Sequence, residues 1–250
     1  MRVFKLICVA MAFLLFSCGK DETKDGTANS NVHLSEGLLA YYPFNGNVND
    51  ESGKGNNGTI INGALIVADK NGKPQSALSV NGSNGVMVSN GSKLIPQDSL
   101  TIGLDVMVRQ TGRQVYISTI NYETGYGFGY MVSSSNPGDP RSLFATAKAG
   151  IACNNFYTEQ SSSAFGPTFE KESWYTVVAT FQNGVEKIYV NGNLGGQANA
   201  LSSKINVCPN ANFLIGTWWK NDPAGLNGKI DNVRVYNRVL NNDEIQALNN

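Results

Sequence analysis

Histidine is nearly absent from this sequence: 250 residues contain one, His33. A Ser-His-Asp triad or a Cys-His pair inside a folded domain is thereby excluded, and so is zinc held by two histidines. Charge of one sign is also lacking, because 19 Lys and Arg balance 19 Asp and Glu. No basic excess recruits nucleic acid. The longest apolar run, Leu6 to Phe16, covers about 11 residues, well short of the roughly 20 a helix needs to cross a bilayer core. Cysteine is sparse, with four in the chain.

The first residues carry Arg2 and Lys5, then the apolar run, then the small residues Ser17, Cys18 and Gly19. That order is the layout of a secretory signal. Leu15-Phe16-Ser17-Cys18 resembles the lipobox of bacterial lipoproteins, which implies cleavage after residue 17 and lipidation of Cys18. The following Lys20-Asp21-Glu22 is similar to a short acidic signal that sends lipoproteins to the outer face of the outer membrane, so the expected location is lipid-anchored at the cell surface. Residues 1–17 are then the signal peptide and 18–35 a lipidated, flexible tether, since Lys20 to Ser35 has almost nothing apolar to bury. Residues 36–250, about 215, are expected to form one domain. Removing Arg2 and Lys5 leaves the mature chain with two more acids than bases.

Cys8 leaves with the signal and Cys18 takes the lipid, which isolates Cys153 and Cys208 in an oxidising compartment. Pairing them would close a loop of about 55 residues and stabilise the fold by up to roughly 4 kcal/mol. Two separately buried thiols are the alternative.

Beyond the tether, short apolar runs alternate with Gly, Asn, Asp, Ser and Pro, the pattern of a β-sandwich. Strands are predicted at 38–44, 58–61, 77–80, 86–89, 100–108, 115–121, 128–133, 143–148, 174–181, 186–190, 213–216 and 229–236. Along Trp174 to Phe181, Tyr175, Val177, Ala179 and Phe181 share one face, while Trp174, Thr176, Val178 and Thr180 share the other. Asn183-Gly184 supplies the positive φ pair of a two-residue hairpin turn, and Asn191-Gly192 turns the chain again into a meander. The one expected helix is C-terminal. Asn241 or Asn242 caps it, Asp243 and Glu244 complement its dipole, and Ile245 with Leu248 pins it to the sandwich.

Three segments resemble laminin-G-like domains of the concanavalin A-like lectin and glucanase superfamily: Leu38 to Thr59, Trp174 to Gly192, and Gly228 to Leu248. The resemblance implies an all-β jelly-roll sandwich of two antiparallel sheets with a short C-terminal helix. Such domains include sugar-binding modules, adhesion domains and, in distant branches, glycosidases, so fold alone does not settle function. Related domains often hold calcium between the N-terminal loop and an Asp of the last strand. The matching positions are Asn45, Asp50 and Asp231, with Asn45 departing from the more usual Asp. The loop Asn45 to Asn57 is rich in side-chain oxygens, as calcium requires, although the same residues also serve as turn formers.

Sugar binders stack rings on aromatic faces, and Trp218-Trp219 is the best platform. Adjacent residues at a strand end face opposite ways, so one indole is expected in the core and the other in solvent beside Lys220, Asn221 and Asp222. Tyr126, with Tyr122, Tyr130 and Arg113, forms a second polar-aromatic cluster. Trp218, Trp219, Asn221, Asp222, Arg113 and Tyr126 are therefore the expected glycan ligands, although such rings also serve to fill sandwiches. Glycoside hydrolysis needs two suitably spaced carboxylates, yet the superfamily's Glu-x-Asp-x-x-Glu strand pattern is missing and Thr101 to Val108 offers only Asp105. The expected function is non-catalytic capture of a glycan or polysaccharide. A protein-protein or cell-adhesion module is the alternative, and a glycosidase the third.

Overall fold

The computed structural model describes residues 32–134, 139–144, 153, 164–200 and 202–249. By internal contacts the chain divides into Met1–Ser30 and Asn31–Asn250. The signal sequence, Cys18 and most of the tether lie outside the described residues.

The strands are β1 (Leu38–Tyr42), β2 (Thr59–Ile61), β3 (Leu65–Val67), β4 (Ala77–Asn81), β5 (Gly85–Val88), β6 (Ser99–Val108), β7 (Gln114–Ile120) and β8 (Tyr130–Ser134). They continue with β9 (Pro140–Phe144), β10 (Ala164–Phe165), β11 (Trp174–Gln182), β12 (Val185–Val190), β13 (Asn193–Asn199), β14 (Asn212–Ile215) and β15 (Asn227–Tyr236), and α1 (Asn242–Ala247) closes the chain. The first sheet runs β13-β12-β11-β6-β15-β4-β3, with β1 also paired to β15, and the second runs β10-β9-β8-β7-β14-β5-β2. Every ladder is antiparallel. This is the two-sheet jelly-roll sandwich the sequence implies.

Alternation along the strands builds the core between the sheets. Leu100, Ile102, Leu104 and Val106 of β6 face Tyr116, Ile117, Val132 and Phe213 of the second sheet in one buried cluster. Each such side chain contributes about 1.5–3 kcal/mol by leaving water. On β11, Val177, Ala179 and Phe181 point inward, as their spacing predicts. The outward Val178 packs instead under α1, with Tyr236, Leu240, Ile245 and Leu248.

The turns follow from local chemistry. Asn183 and Gly184 adopt φ of 51° and 76°, and Asn191 and Gly192 adopt 49° and 77°. The resulting β11-β12-β13 meander is the one read from the two Asn-Gly pairs. Helix α1 has a full capping box: the Asn241 side chain accepts from the Glu244 N-H at 3.0 Å, and the Glu244 carboxylate accepts from the Asn241 N-H at 2.9 Å.

Three strands lie outside the predicted ranges. The β13 segment, NLGGQAN, has no apolar alternation and is held by its ladder with β12. The other two, β3 and β10, are three and two residues long. The predicted strand at 143–148 begins earlier, at Pro140, and its second half lies outside the described residues.

The tether boundary also moves. His33 N-H donates to Glu244 Oε1 at 3.1 Å, and its carbonyl accepts from Arg238 at 2.8 Å. Leu34 packs beside α1. Residues assigned by composition to a flexible linker are thus docked, because the buried Glu244 needs donors and the cluster around α1 needs one more apolar side chain.

Candidate functional site

Beyond β14 the chain leaves the second sheet and folds back across its outer face. Gly216, at φ 76°, makes the exit, and a Cβ there would stand 2.9 Å from Val80 Cγ1. The loop closes on itself where Leu226 N-H donates to the Gly216 carbonyl at 3.0 Å. Between these points, Lys220 N-H reaches the Tyr122 carbonyl at one end of β7, and Val115 N-H at the other end donates to the Ala224 carbonyl. The segment 217–225 is therefore a strap laid along β7. Two ion pairs fasten it, Lys220 to Glu123 and Arg113 to Asp222, the latter at 3.2 Å.

Beneath the strap lies a second small core. Outward residues Val115, Ile120, Met131 and Leu214 pack with Phe128 and Trp218, and Met87, Tyr122 and Trp219 border them. Phe128 meets Trp218 edge-on, with centroids 6.2 Å apart. Trp218 is 1% exposed and offers no face to a ligand. Trp219 is half-buried against the same cluster. The expectation of one core and one solvent indole is corrected here: strand alternation ends at Gly216, and in the strap both rings turn toward the sheet. Asn221 is exposed, and Asp222 is engaged by Arg113. The expected ligands therefore divide, with Arg113 and Asp222 at the Val115 end of β7 and Tyr126 in the loop beyond Ile120.

Tyr126 is 42% exposed and borders a cleft of about 220 Å³ lined by Asn121, Thr124, Pro209, Asn210 and the Cys153–Cys208 disulfide. The two cysteines pair as expected, their Cα atoms 5.6 Å apart. Gly127, at φ 74°, lets the chain pass the bridge, since a Cβ there would sit 3.0 Å from Cys208 Cβ. The Asn121 carbonyl oxygen of the side chain accepts from Glu123 N-H, Thr124 N-H and Thr124 Oγ1, and its amide donates to the Asn210 carbonyl at 3.0 Å. Asn121 thus shapes the loop that presents Tyr126. Asn121, Thr124 and Asn210 were missed by sequence reasoning. Their signal is the Asn-x-x-Thr turn motif directly after a strand.

The residues matched to a calcium site turn their side-chain oxygens to donors of the protein itself. Asn45 Oδ1 accepts from the Lys73 ammonium at 2.8 Å. Asp50 accepts three backbone N-H groups, from Tyr41 at 3.0 Å and from Ser52 and Asn56 at 2.9 Å each. Burial opposes its charge, but the Ser52, Tyr41 and Asn56 hydrogen bonds hold the Asp50 carboxyl below its ordinary pKa. Asp231 accepts from its neighbour Asn232, at 2.6 Å from the N-H and 3.3 Å from the side-chain amide. Each candidate oxygen is turned to an N-H donor or an ammonium. Among the described residues no three His, Cys, Asp or Glu side chains group to hold a metal ion.

Asp231 also faces Asp105 across the β15-β6 ladder. The pair is nearly inaccessible, at 5% and 2% exposure. Asp105 accepts from Thr176 Oγ1 at 2.6 Å and Asn232 Nδ2 at 3.0 Å, with the Lys70 ammonium 3.4 Å away. Burial, then the Asp105 charge, raises the Asp231 carboxyl to about 7 against the Asn232 N-H bond. A carboxyl shifted toward neutrality is what acid-base chemistry needs, but Asp231 and its neighbour are enclosed and bonded to the protein's own groups.

The Laminin_G_3 family model, described as Concanavalin A-like lectin/glucanases superfamily, matches residues 80–246. Comparison with curated proteins gives no match. Among solved structures, domain 4 of the extracellular arabinanase AbnA of Geobacillus stearothermophilus, in complex with arabinotriose, is 21% identical with TM-score 0.59, covering 85% of this chain and 98% of that one. The binding domain of Paraclostridial Mosquitocidal Protein 1 is 14% identical with TM-score 0.65, covering 87% of this chain and 53% of that one. Trypanosoma rangeli sialidase is 19% identical with TM-score 0.61, over 85% of this chain and 32% of its own length. At these identities the likeness is one of fold. Taken with the two-sheet sandwich and the profile match over most of its length, the chain belongs to the concanavalin A-like lectin/glucanases superfamily.

Proposed function

We infer that this protein is a non-catalytic carbohydrate-binding lipoprotein, tethered through Cys18 at the outer membrane and capturing glycan at the Tyr126 cleft. The observation that carries the reading is the partly exposed Tyr126 ring beside a small cleft of amide and hydroxyl groups. An aromatic face takes the apolar side of a sugar ring, and Asn121, Thr124 and Asn210 are of the type that bonds its hydroxyls. The disulfide stiffens one wall, so little ordering is needed on binding. The arabinotriose complex of a similarly folded domain supports a neutral oligosaccharide as the ligand class. Lipid anchoring is supported by Leu15-Phe16-Ser17-Cys18.

A glycan array on the full chain, with calcium and with chelator, tests the reading. Hits lost on Tyr126→Ala, with melting temperature unchanged, are the expected result. Equal binding in both conditions retires calcium as a cofactor, and a blank array in both sinks the glycan reading. The competing reading is a protein-binding adhesion module. What favours it is the exposure of Phe165 on β10 and Leu194 on β13, strands at the ends of their sheets.

A further inference from the structure

A second cleft, of about 340 Å³, opens between the loop after β1 and the end of β5. Its walls include Lys54 and Asn57 on one side and Asn90 and Lys93 on the other, with Leu39 and Val88 between them. Among the described residues neither Lys54 nor Lys93 forms an ion pair, whereas Lys70, Lys204 and Lys220 each meet a carboxylate. No acid lines the cleft. The nearby Asp50 has its oxygens turned to the N-H groups of Tyr41, Ser52 and Asn56. The cleft therefore presents two lysine ammonium groups that meet no carboxylate directly.

The Asn57 side chain uses its oxygen on Asp50 N-H, which leaves its amide nitrogen free to donate, and the Asn90 side chain makes no capping bond. Two ammonium groups, free amides and a short apolar wall match a sugar ring that bears an anionic group. A peptide is disfavoured. The adjoining strand β5 is paired on both sides, by β14 and β2, so it has no open edge to add a strand to.

We propose that this cleft is a second saccharide site, separate from the Tyr126 cleft and selective for an acidic saccharide, whose carboxylate or sulfate sits between Lys54 and Lys93. It stands independently of the Tyr126 reading, because the two clefts share no lining residue. They are close neighbours in the fold: Asn212 accepts from Tyr122 N-H at 2.8 Å and donates to the Ser89 carbonyl at 3.2 Å, joining the loop beside one cleft to the wall of the other.

The test is calorimetric titration of the full chain with oligogalacturonate, a sulfated heparin-derived oligosaccharide, a neutral arabino-oligosaccharide and polyglutamate. The expected result is binding of one or both acidic saccharides and loss of about tenfold or more of that affinity in the K54Q/K93Q double variant. The charge-matched control K171Q/K187Q, changed outside the cleft, keeps the affinity, and K54R/K93R largely restores it. Undiminished binding by K54Q/K93Q overturns the site. Equal loss in the K171Q/K187Q control, or polyglutamate binding as tightly as the sugars, overturns the selectivity and reduces the effect to general charge attraction.

Discussion

Asp105 and Asp231 stand directly opposite each other on β6 and β15, with the Asn232 side-chain amide donating to both, at 3.0 Å and 3.3 Å. Asn232 reaches this position from a left-handed backbone, φ 52°, where the ladder shifts register between Asp231 and Arg234. Tyr41 O-H donates to its oxygen at 3.1 Å. The amide carries no charge of its own and the Lys70 ammonium lies against Asp105, at 3.4 Å, so burial and the Asp105 charge disfavour ionisation of Asp231.

Stability is accordingly expected to fall as pH rises through neutrality. The Asp231 pKa is raised from 3.8 to about 7, so the folded state holds a proton that the unfolded state has released. That contribution is complete below 3.8 and is lost as pH passes 7, amounting to about 4 kcal/mol at most. Denaturant melts at pH 5 and pH 8 should show the loss, and Asp231→Asn should flatten it. Parallel profiles for wild type and variant would count against a raised pKa at Asp231.

The opposite pH edge comes from Glu244. Arg238 binds its carboxylate at 2.7 Å through both terminal nitrogens. The Arg238 bond first, opposed by burial and aided by the Asn241 and His33 N-H groups, lowers it from 4.5 to about 2. The associated stability is present above 4.5 and disappears as pH falls toward 2. Arg238→Ala should destabilise the domain by roughly 3–5 kcal/mol, because it leaves a buried charge unpaired. Hydrogen exchange should localise the loss to α1 and residues 33–36. A uniform loss across both sheets would contradict this attachment.

The fold was readable wherever a local period carried it. Trp174 to Phe181 alternates cleanly, Asn183-Gly184 fixes the next turn, and the Asn241-to-Glu244 spacing forecasts a capped helix. The functional geometry was less readable because it depends on register between distant segments. Asp105 appeared alone on its strand, and its partner Asp231 lies 126 positions away, placed only by the β15-β6 ladder. Trp218 and Trp219 misled for a different reason. Their adjacency was read by the strand rule, but the chain has already left the strand at Gly216, and a strap obeys the demands of the surface it covers. Asn45, Asp50 and Asp231 matched a family pattern by type, while their actual partners, Lys73 and backbone amides, could not be inferred from type alone.

The disulfide should matter to the Tyr126 cleft beyond its effect on stability. Replacing both Cys153 and Cys208 by Ser frees a 55-residue loop and should cost up to about 4 kcal/mol. It should also loosen the wall formed by Pro209 and Asn210, so that affinity for any ligand of the cleft falls while K54Q/K93Q leaves it unchanged. Thermal melts and titrations on oxidised and reduced protein read both effects. Full affinity after reduction would show that the bridge stiffens nothing the ligand touches.

Trp218 and Tyr126 should separate stability from binding. Trp218→Ala removes the central ring beneath the strap and should cost about 3–5 kcal/mol, whereas Tyr126→Ala removes a partly exposed ring at the cleft and should change the melting temperature little. Trp219, half-buried at the edge of the same cluster, should fall between them. Tryptophan fluorescence adds an independent reading: loss of Trp218 removes the most blue-shifted emission, because that indole is shielded from water, and acrylamide should quench Trp219 more readily. If glycan binding disappears in Trp219→Ala at unchanged stability, the platform extends along the strap from Tyr126. If Trp218→Ala leaves stability intact, the strap is not seated on the sheet and the aromatic cluster beneath it has another role.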